Sequence, residues 1–248
     1  MRITFDSNAW EAIFHRDDVK GRPIRAALEE RMIEGFICTA GFGIEAIAKW
    51  NRPTYFAQPY MDVSFGIVRS EQPGRFLLNM SIGPDNRKHP GLPAVQVEKL
   101  QRALAAGIKL MRGQNWMGLP VPIEISDPSL YVPETREEAG AREGRQISVS
   151  GFIDERGVGN AAFVAADGWT DRPRTPSEEK ELGRACAEWA DGEVVAAHIA
   201  YQNDILCTND HARTAGRSIF DGPSRAWLAA SYGVIFMTVE ELAEKVMW

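Results

Sequence analysis

The sequence predicts an α/β protein: a central, mostly parallel sheet with helices on both faces, carrying an α+β insertion in its middle. Three observations predict it. Short apolar runs at 2–5 (RITF), 36–39 (FICT), 204–208 (DILCT) and 231–237 have the length and composition of buried strands. Amphipathic helical segments separate them, the alternation that marks parallel βαβ units. Between about 52 and 174 that alternation gives way to hairpin and loop signals, so 1–51 and 175–248 read as two halves of one domain interrupted by an insertion.

Taken in order, the first strand ends at Asp6-Ser7-Asn8 and is followed by a helix over about 9–14. Asp17-Asp18 form a polar break, and an amphipathic helix runs from Pro23 to Ile33, where Gly35 stops it. The second strand leads through Gly41 and Gly43 into a helix over 43–50, which Asn51 and Pro53 end. Strands at 61–68 and 75–82 flank S-E-Q-P-G, a hairpin signal. A polar loop spans 83–91, an amphipathic helix is expected over 95–111, and the charged stretch 127–147 has few core residues. Thr175 with Glu178 three residues on is a capping-box start. The helix it opens is expected to run to about Trp189, with a second helix opened by Asp191 and running to Tyr201. A strand at 204–208 closes on Asn209-Asp210, a last strand spans 231–237, and Thr238 starts a final helix over 239–246.

The chain has 248 residues, 28 basic against 34 acidic, a net charge of −6. That balance does not announce nucleic acid, though a local patch suffices to bind it. The stretch 51–150 holds 12 basic and 10 acidic residues, so the positive excess sits in the insertion. Three scattered cysteines make no C-x-x-C, and the four histidines have no zinc spacing. Cys38 and Cys207 lie in apolar strand runs and read as small core residues. With no signal-peptide pattern and no apolar run approaching ~18 residues, the expectation is a reduced, cytoplasmic protein that does not span a membrane.

The stretch G-F-G-I-E-A at 41–46 offers two readings. It fits the first places of a dinucleotide fingerprint, with Asp62 about where a ribose-binding acid would fall. Against this, the third glycine is absent, the helix is cut short, and a strand already precedes this one. The other reading makes the turn a platform for Glu45. Asp6 and Asp210 lie just past strand ends, Glu45 lies a turn and a half past another, and Asp191 lies 19 residues before Asp210. In an open parallel sheet these ends face one crevice, where ligands bind. Crowded carboxylates raise one another's pKa unless a cation neutralises them, and a hard divalent ion suits an all-oxygen set. Each acid also has a structural explanation as a helix cap or turn closer.

The pieces ITFDSNAW, CTAGFGIEAIA, DGEVVAAHIAYQNDILCTND and YGVIFMTVEELAE, in that order, resemble the PIN-domain family. The resemblance covers about 1–50 and 176–248 and leaves 52–174 without a counterpart. It rests on Asp6-Ser7-Asn8, on Thr39 with Glu45, on Asp191 ahead of Ala196 and Ala197, and on Thr208-Asn209-Asp210. It implies a metal-dependent ribonuclease in which Asp6, Glu45 and Asp210 hold Mg²⁺ or Mn²⁺ and Asp191 is the fourth acid, with Glu193 as substitute. Ser7, Asn8 and Thr208 would fix the carboxylates by hydrogen bonds. Arg52, Arg69, Arg75, Arg87 and Lys88 are candidates for RNA phosphate contacts, against the plainer reading of scattered solvated charges. A neutralising protein partner or an oligomer is compatible with such a chain. Competing readings are a non-catalytic interaction protein whose insertion binds a partner, another metal-dependent phosphohydrolase, and a nucleotide-binding oxidoreductase using Gly41 and Gly43. No P-loop, H-E-x-x-H or G-x-S-x-G is present.

Overall fold

A computed structural model describes residues 1–15, 19–45, 47, 52, 55, 62–69, 76–83, 89–114, 122–170, 172–212 and 217–247, with the backbone alone for 45, 62–69 and 76–83. Five strands form one parallel sheet: β1 (Arg2–Phe5), β2 (Glu34–Cys38), β5 (Lys109–Met111), β6 (Ile205–Cys207) and β7 (Ile235–Met237). Their spatial order is β5-β2-β1-β6-β7, and every pair is parallel. From β1 the chain builds outward to β2 and β5, then returns to add β6 and β7 on the other side. The topological switch point therefore falls between β1 and β6. Strands β3 (Asp62–Arg69) and β4 (Phe76–Gly83) form a separate antiparallel pair.

Period-2 alternation sorts the strand side chains into two cores. Ile3, Phe5, Ile37, Leu110, Ile205 and Cys207 pack on one face with α1 (Ser7–Ile13), α2 (Arg22–Glu29), α3 (Ala94–Ala105) and α8 (Val239–Val246). Phe36, Cys38, Met111 and Leu206 pack on the other with α4 (Arg136–Glu155), α5 (Asn160–Ala165), α6 (Pro176–Ala200) and α7 (Gly222–Tyr232). The α/β fold with helices on both faces is thus as the strand and helix alternation dictates. Among the described residues no helix is long and apolar enough to cross a membrane.

Several expectations are corrected. The helix over 95–111 ends at Ala105. Gly107, at φ +93°, terminates it, and 109–111 become the edge strand β5. The charged stretch 127–147 contains the start of α4, a 20-residue helix opened by a capping box between Thr135 and Glu138. The two helices over 175–201 are one, α6, so Asp191 does not open a helix. Nothing in A-D-G-E-V breaks the hydrogen-bond ladder, because one glycine costs only about 1 kcal/mol against the packing of a long buried face. The strand over 231–237 shrinks to Ile235–Met237. Asp221 caps α7 ahead of it, and Gly233, at φ +70°, ends that helix.

The insertion 52–174 is not an appendage. It supplies β5 to the sheet, α3 to one face and α4 and α5 to the other. The β3–β4 hairpin is the part of it that pairs only with itself.

Candidate active site at the carboxyl edge of the sheet

Each of the three interior strands, β1, β2 and β6, hands its next residue to a neighbour across the carboxyl edge. Asp6 N donates to Cys207 O (3.0 Å), Thr39 N to Met111 O (2.9 Å) and Thr208 N to Met237 O (2.9 Å). The backbone is thereby fixed where the side chains of interest begin.

Asp6 follows β1 and is fully buried. Its Oδ1 accepts from Ser7 N (2.7 Å), so it caps α1. Its Oδ2 accepts from Asn8 Nδ2 (2.8 Å) and from Thr208 Oγ1 (2.7 Å). Capping explains the first bond only. The other two draw the carboxylate across the switch point to the end of β6. There Thr208 Oγ1 also accepts from Asp210 N (3.1 Å), so one hydroxyl joins both acids. Asn8 Oδ1 accepts from Asn209 N (2.8 Å), and Asn209 Oδ1 accepts from Val239 N (3.1 Å), tying α1, the β6 turn and α8 together. Burial pushes the Asp6 carboxyl above the usual carboxylate range, and the Asp210 charge adds to this. The bonds from Thr208, Ser7 and Asn8 pull the other way without cancelling it. Asp210 Oδ1 accepts from Ala212 N (2.6 Å), while its Oδ2 meets no protein donor among the described residues.

On the other side of β1, Gly41–Glu45 form a single π-helical turn past the end of β2. The turn is pinned in both cores, Phe42 against Trp10 of α1 (ring centroids 5.5 Å) and Ile44 in the core of α6. It carries Glu45 to the carboxyl edge, and the Glu45 side chain lies outside the described residues, as do positions 48–50 of the expected helix. A Cβ added to Gly43 would meet nothing within 4 Å, so close packing does not require that glycine.

Of the candidate acids on α6, Asp191 and Glu193, Glu193 is tied to this edge. It is buried, its Oε2 accepts from Gln114 N (2.8 Å) just past β5, and its backbone carbonyl lies 3.9 Å from the Cys38 thiol at the end of β2. Burial pushes that thiol up to about 12, and the charges of Glu193 and of Asp6 both add to the shift. Asp191, two residues before Glu193, is turned about 200° around the helix and is half-buried. Thr39 Oγ1 accepts from Gly113 N (2.9 Å), which closes the β2–β5 side of the edge.

The other named residues are dispersed. Arg52 is buried, donating to Ile47 O (2.9 Å) and Gly183 O (3.2 Å), and so holds the turn to α6 instead of facing a ligand. Arg69 is described in its backbone alone, and Arg75, Arg87 and Lys88 lie outside the described residues. Two cavities, of about 360 and 690 Å³, open at the opposite end of the sheet between α2, α3 and the starts of β2 and β5. They touch none of the acids, and the chemistry points to the carboxyl edge.

The donor set at that edge is oxygen-only, which suits a hard divalent cation. Among the described residues no three His, Cys, Asp or Glu side chains stand close enough to hold a metal. Asp6 and Asp210 form a partial set, with one oxygen open and one carboxyl pushed toward protonation by burial and by its acidic neighbour. A further carboxylate would complete it.

Sequence reasoning missed Gln114 and Arg225. Gln114 follows a strand that the pattern presents as the tail of a helix, so its place at the carboxyl edge is invisible in the periodicity. Arg225 lies in the first turn of α7, and the Asp-Gly-Pro-Ser cap at 221–224 was the signal for that helix. Comparison with protein-family models, curated proteins and solved structures finds no match.

Proposed function

We propose that this chain is a metal-dependent ribonuclease, hydrolysing RNA phosphodiester bonds at the carboxyl edge of its parallel sheet. The observation that carries the reading is the fully buried Asp6 carboxylate, joined to Asp210 through the Thr208 hydroxyl across the β1/β6 switch point. That crevice is where open α/β sheets bind ligands. The resemblance of four ordered segments to the PIN-domain family supports the same reading.

Asp6 and Asp210 would hold Mg²⁺ or Mn²⁺, with Glu45 from the π turn and Glu193 from α6 as the remaining acids. When bound, such an ion lowers the pKa of a coordinated water and offsets charge on the phosphodiester oxygens. The chain's own residues do the positioning. Thr208 and Asn8 orient the Asp6 carboxylate and favour its ionised form, against the pull of burial, by donating to Oδ2. Asn209 fixes the Asp210 turn through Val239 N and Asn8. Gln114 N holds Glu193 facing the strand ends. Low exposure around Asp6 strengthens every charge interaction there relative to water.

The test is Mn²⁺- or Mg²⁺-dependent cleavage of single-stranded RNA by the purified protein, lost in Asp6→Asn and in Asp210→Asn. Cleavage that survives both substitutions removes the proposal. The cap role of Asp6 is the rival explanation. A protein that neither binds Mn²⁺ nor cleaves RNA, yet melts well below wild type as Asp6→Ala, would establish it.

A further inference from the structure

Beside the two acids stands one guanidinium that the nuclease reading has not used. Arg225, in the first turn of α7, donates from Nε to Phe220 O (2.9 Å) and from Nη2 to Asp210 O. Its plane lies over the Phe236 ring (4.6 Å to the centroid) and near that of Phe220 (5.8 Å). Four groups therefore hold it, and one of them is the backbone of a proposed metal ligand. A surface arginine free to rotate would lose rotamer entropy on being held, whereas this one is already set in place. Its Nη1 donates to no protein acceptor among the described residues, and guanidinium donors in a fixed fork match phosphate oxygens. Its bond to Asp210 O places it at the same edge of the sheet.

We propose that Arg225 is the anchor for a phosphodiester phosphate of the nucleic-acid strand, held by its clamp on Phe220 and Asp210 so that Nη1 faces the strand next to the acid pair. The inference rests on the ribonuclease reading for the identity of the strand. Its own content is the phosphate contact, which exists with or without turnover. It also explains how a chain of net charge −6 recruits a polyanion at an acidic edge. One fixed cation stands where the strand must pass, while the long-range field is unfavourable.

The experiment is fluorescence anisotropy of a labelled single-stranded RNA in EDTA, where metal-dependent cleavage cannot occur, across a series of KCl concentrations. Arg225→Met, which keeps an apolar stem over Phe236, should weaken binding about tenfold and lower the slope of log affinity against log salt by about 0.7, the single-strand value for one phosphate contact. Equal affinity and equal slope in the two proteins overturn the proposal, as does a wild type that binds no RNA. Inorganic phosphate as competitor separates the sources. Displacement only at matched ionic strength marks a strand site, and displacement far below it marks a free-anion site and rejects the assignment. If Arg225→Met does not fold, the wild-type Arg225 Nε–Hε resonance, assigned by its loss in Arg225→Lys, moves on adding RNA or the proposal fails. Cleavage with Mn²⁺ is scored separately. RNA bound through Arg225 but never cut sinks the nuclease reading alone, and RNA cut with Arg225→Met binding unchanged sinks this inference alone.

Discussion

Thr4 lies within β1 and Asp6 just past its end, two residues apart, and the polar clusters around them differ in kind. Thr4 Oγ1 meets His198 Nδ1 (2.9 Å) and Asn203 Nδ2 (2.9 Å), and Asn203 Oδ1 accepts from Arg2 Nε (3.0 Å). Burial lowers the His198 pKa to about 4, so at neutral pH its ring is uncharged and its Nδ1 shares a hydrogen bond with the Thr4 hydroxyl. Apart from the Arg2 guanidinium at its margin, the Thr4 cluster is an uncharged, mutually satisfied network joining β1 to α6. The Asp6 cluster keeps a carboxylate where burial and a second carboxylate both disfavour its charge. A neutral network of that quality needs no ligand to account for it. A crowded, buried charge weakens the fold unless something else binds there. Strand β1 therefore carries a satisfied polar site, and the residue just past its end the crowded acid of the proposed one.

The comparison breaks most sharply at Asp6. Asp6→Asn is expected to reduce kcat/KM for Mn²⁺-dependent RNA cleavage by about 10³-fold, with a thermal midpoint at or above that of wild type in EDTA. A midpoint several degrees lower with cleavage intact would make Asp6 another member of the structural class. The Thr4 cluster predicts the opposite pattern, a change in stability with no change in chemistry. Because His198 is held at about 4 against an ordinary 6.5, the unfolded chain takes up this proton first as the pH falls. Its contribution is whole above pH 6.5 and is lost progressively down to about pH 4, about 3 kcal/mol in all. Urea denaturation across that window, with His198→Asn as the flattened control, checks it.

A smaller effect separates the two acids of α6. Glu193→Gln keeps an acceptor for Gln114 N and should lower cleavage 10- to 100-fold, on the order seen for residues that orient a metal site. Asp191→Asn should leave cleavage unchanged. The reverse outcome returns the role to Asp191. The smallest effect belongs to Gly43→Ala. With open space around the added methyl, stability should stay within about 0.5 kcal/mol and cleavage should be unaltered. A large loss there would revive the reading of 41–46 as a phosphate cradle.

The parallel sheet was legible because its strands are short apolar runs punctuated by turns, and Asp6, Thr208 and Asp210 were legible because each follows such a run. β5 was not. Three residues at the sheet edge, preceded by an amphipathic helix and separated from it by Gly107, continue the helical pattern on paper, and only pairing with β2 reveals a strand. The order of Asp191 and Glu193 was illegible for a related reason. The cap chemistry of Asp191 suggests a helix start, whereas burial along an unbroken α6 sets the register. Spacing to Asp210 favours neither acid once the face of the helix is known. Arg225 has no motif at all, since its place is set by Phe220, Phe236 and Asp210, which are distant in sequence or in another element.

Helix α6 has a consequence for how this chain can vary. Gly192 abuts Gly159, where an added Cβ would come within 2.9 Å of the neighbouring backbone, and His198 is docked on Thr4. Between these two anchors the helix behaves as an indexed shaft. Inserting or deleting one residue among 193–197 rotates one anchor against the other by about 100°, and both cannot then be seated. Lineages of this protein are therefore expected to exchange side chains freely along the outer half of α6 while holding its length from Gly192 to His198 constant.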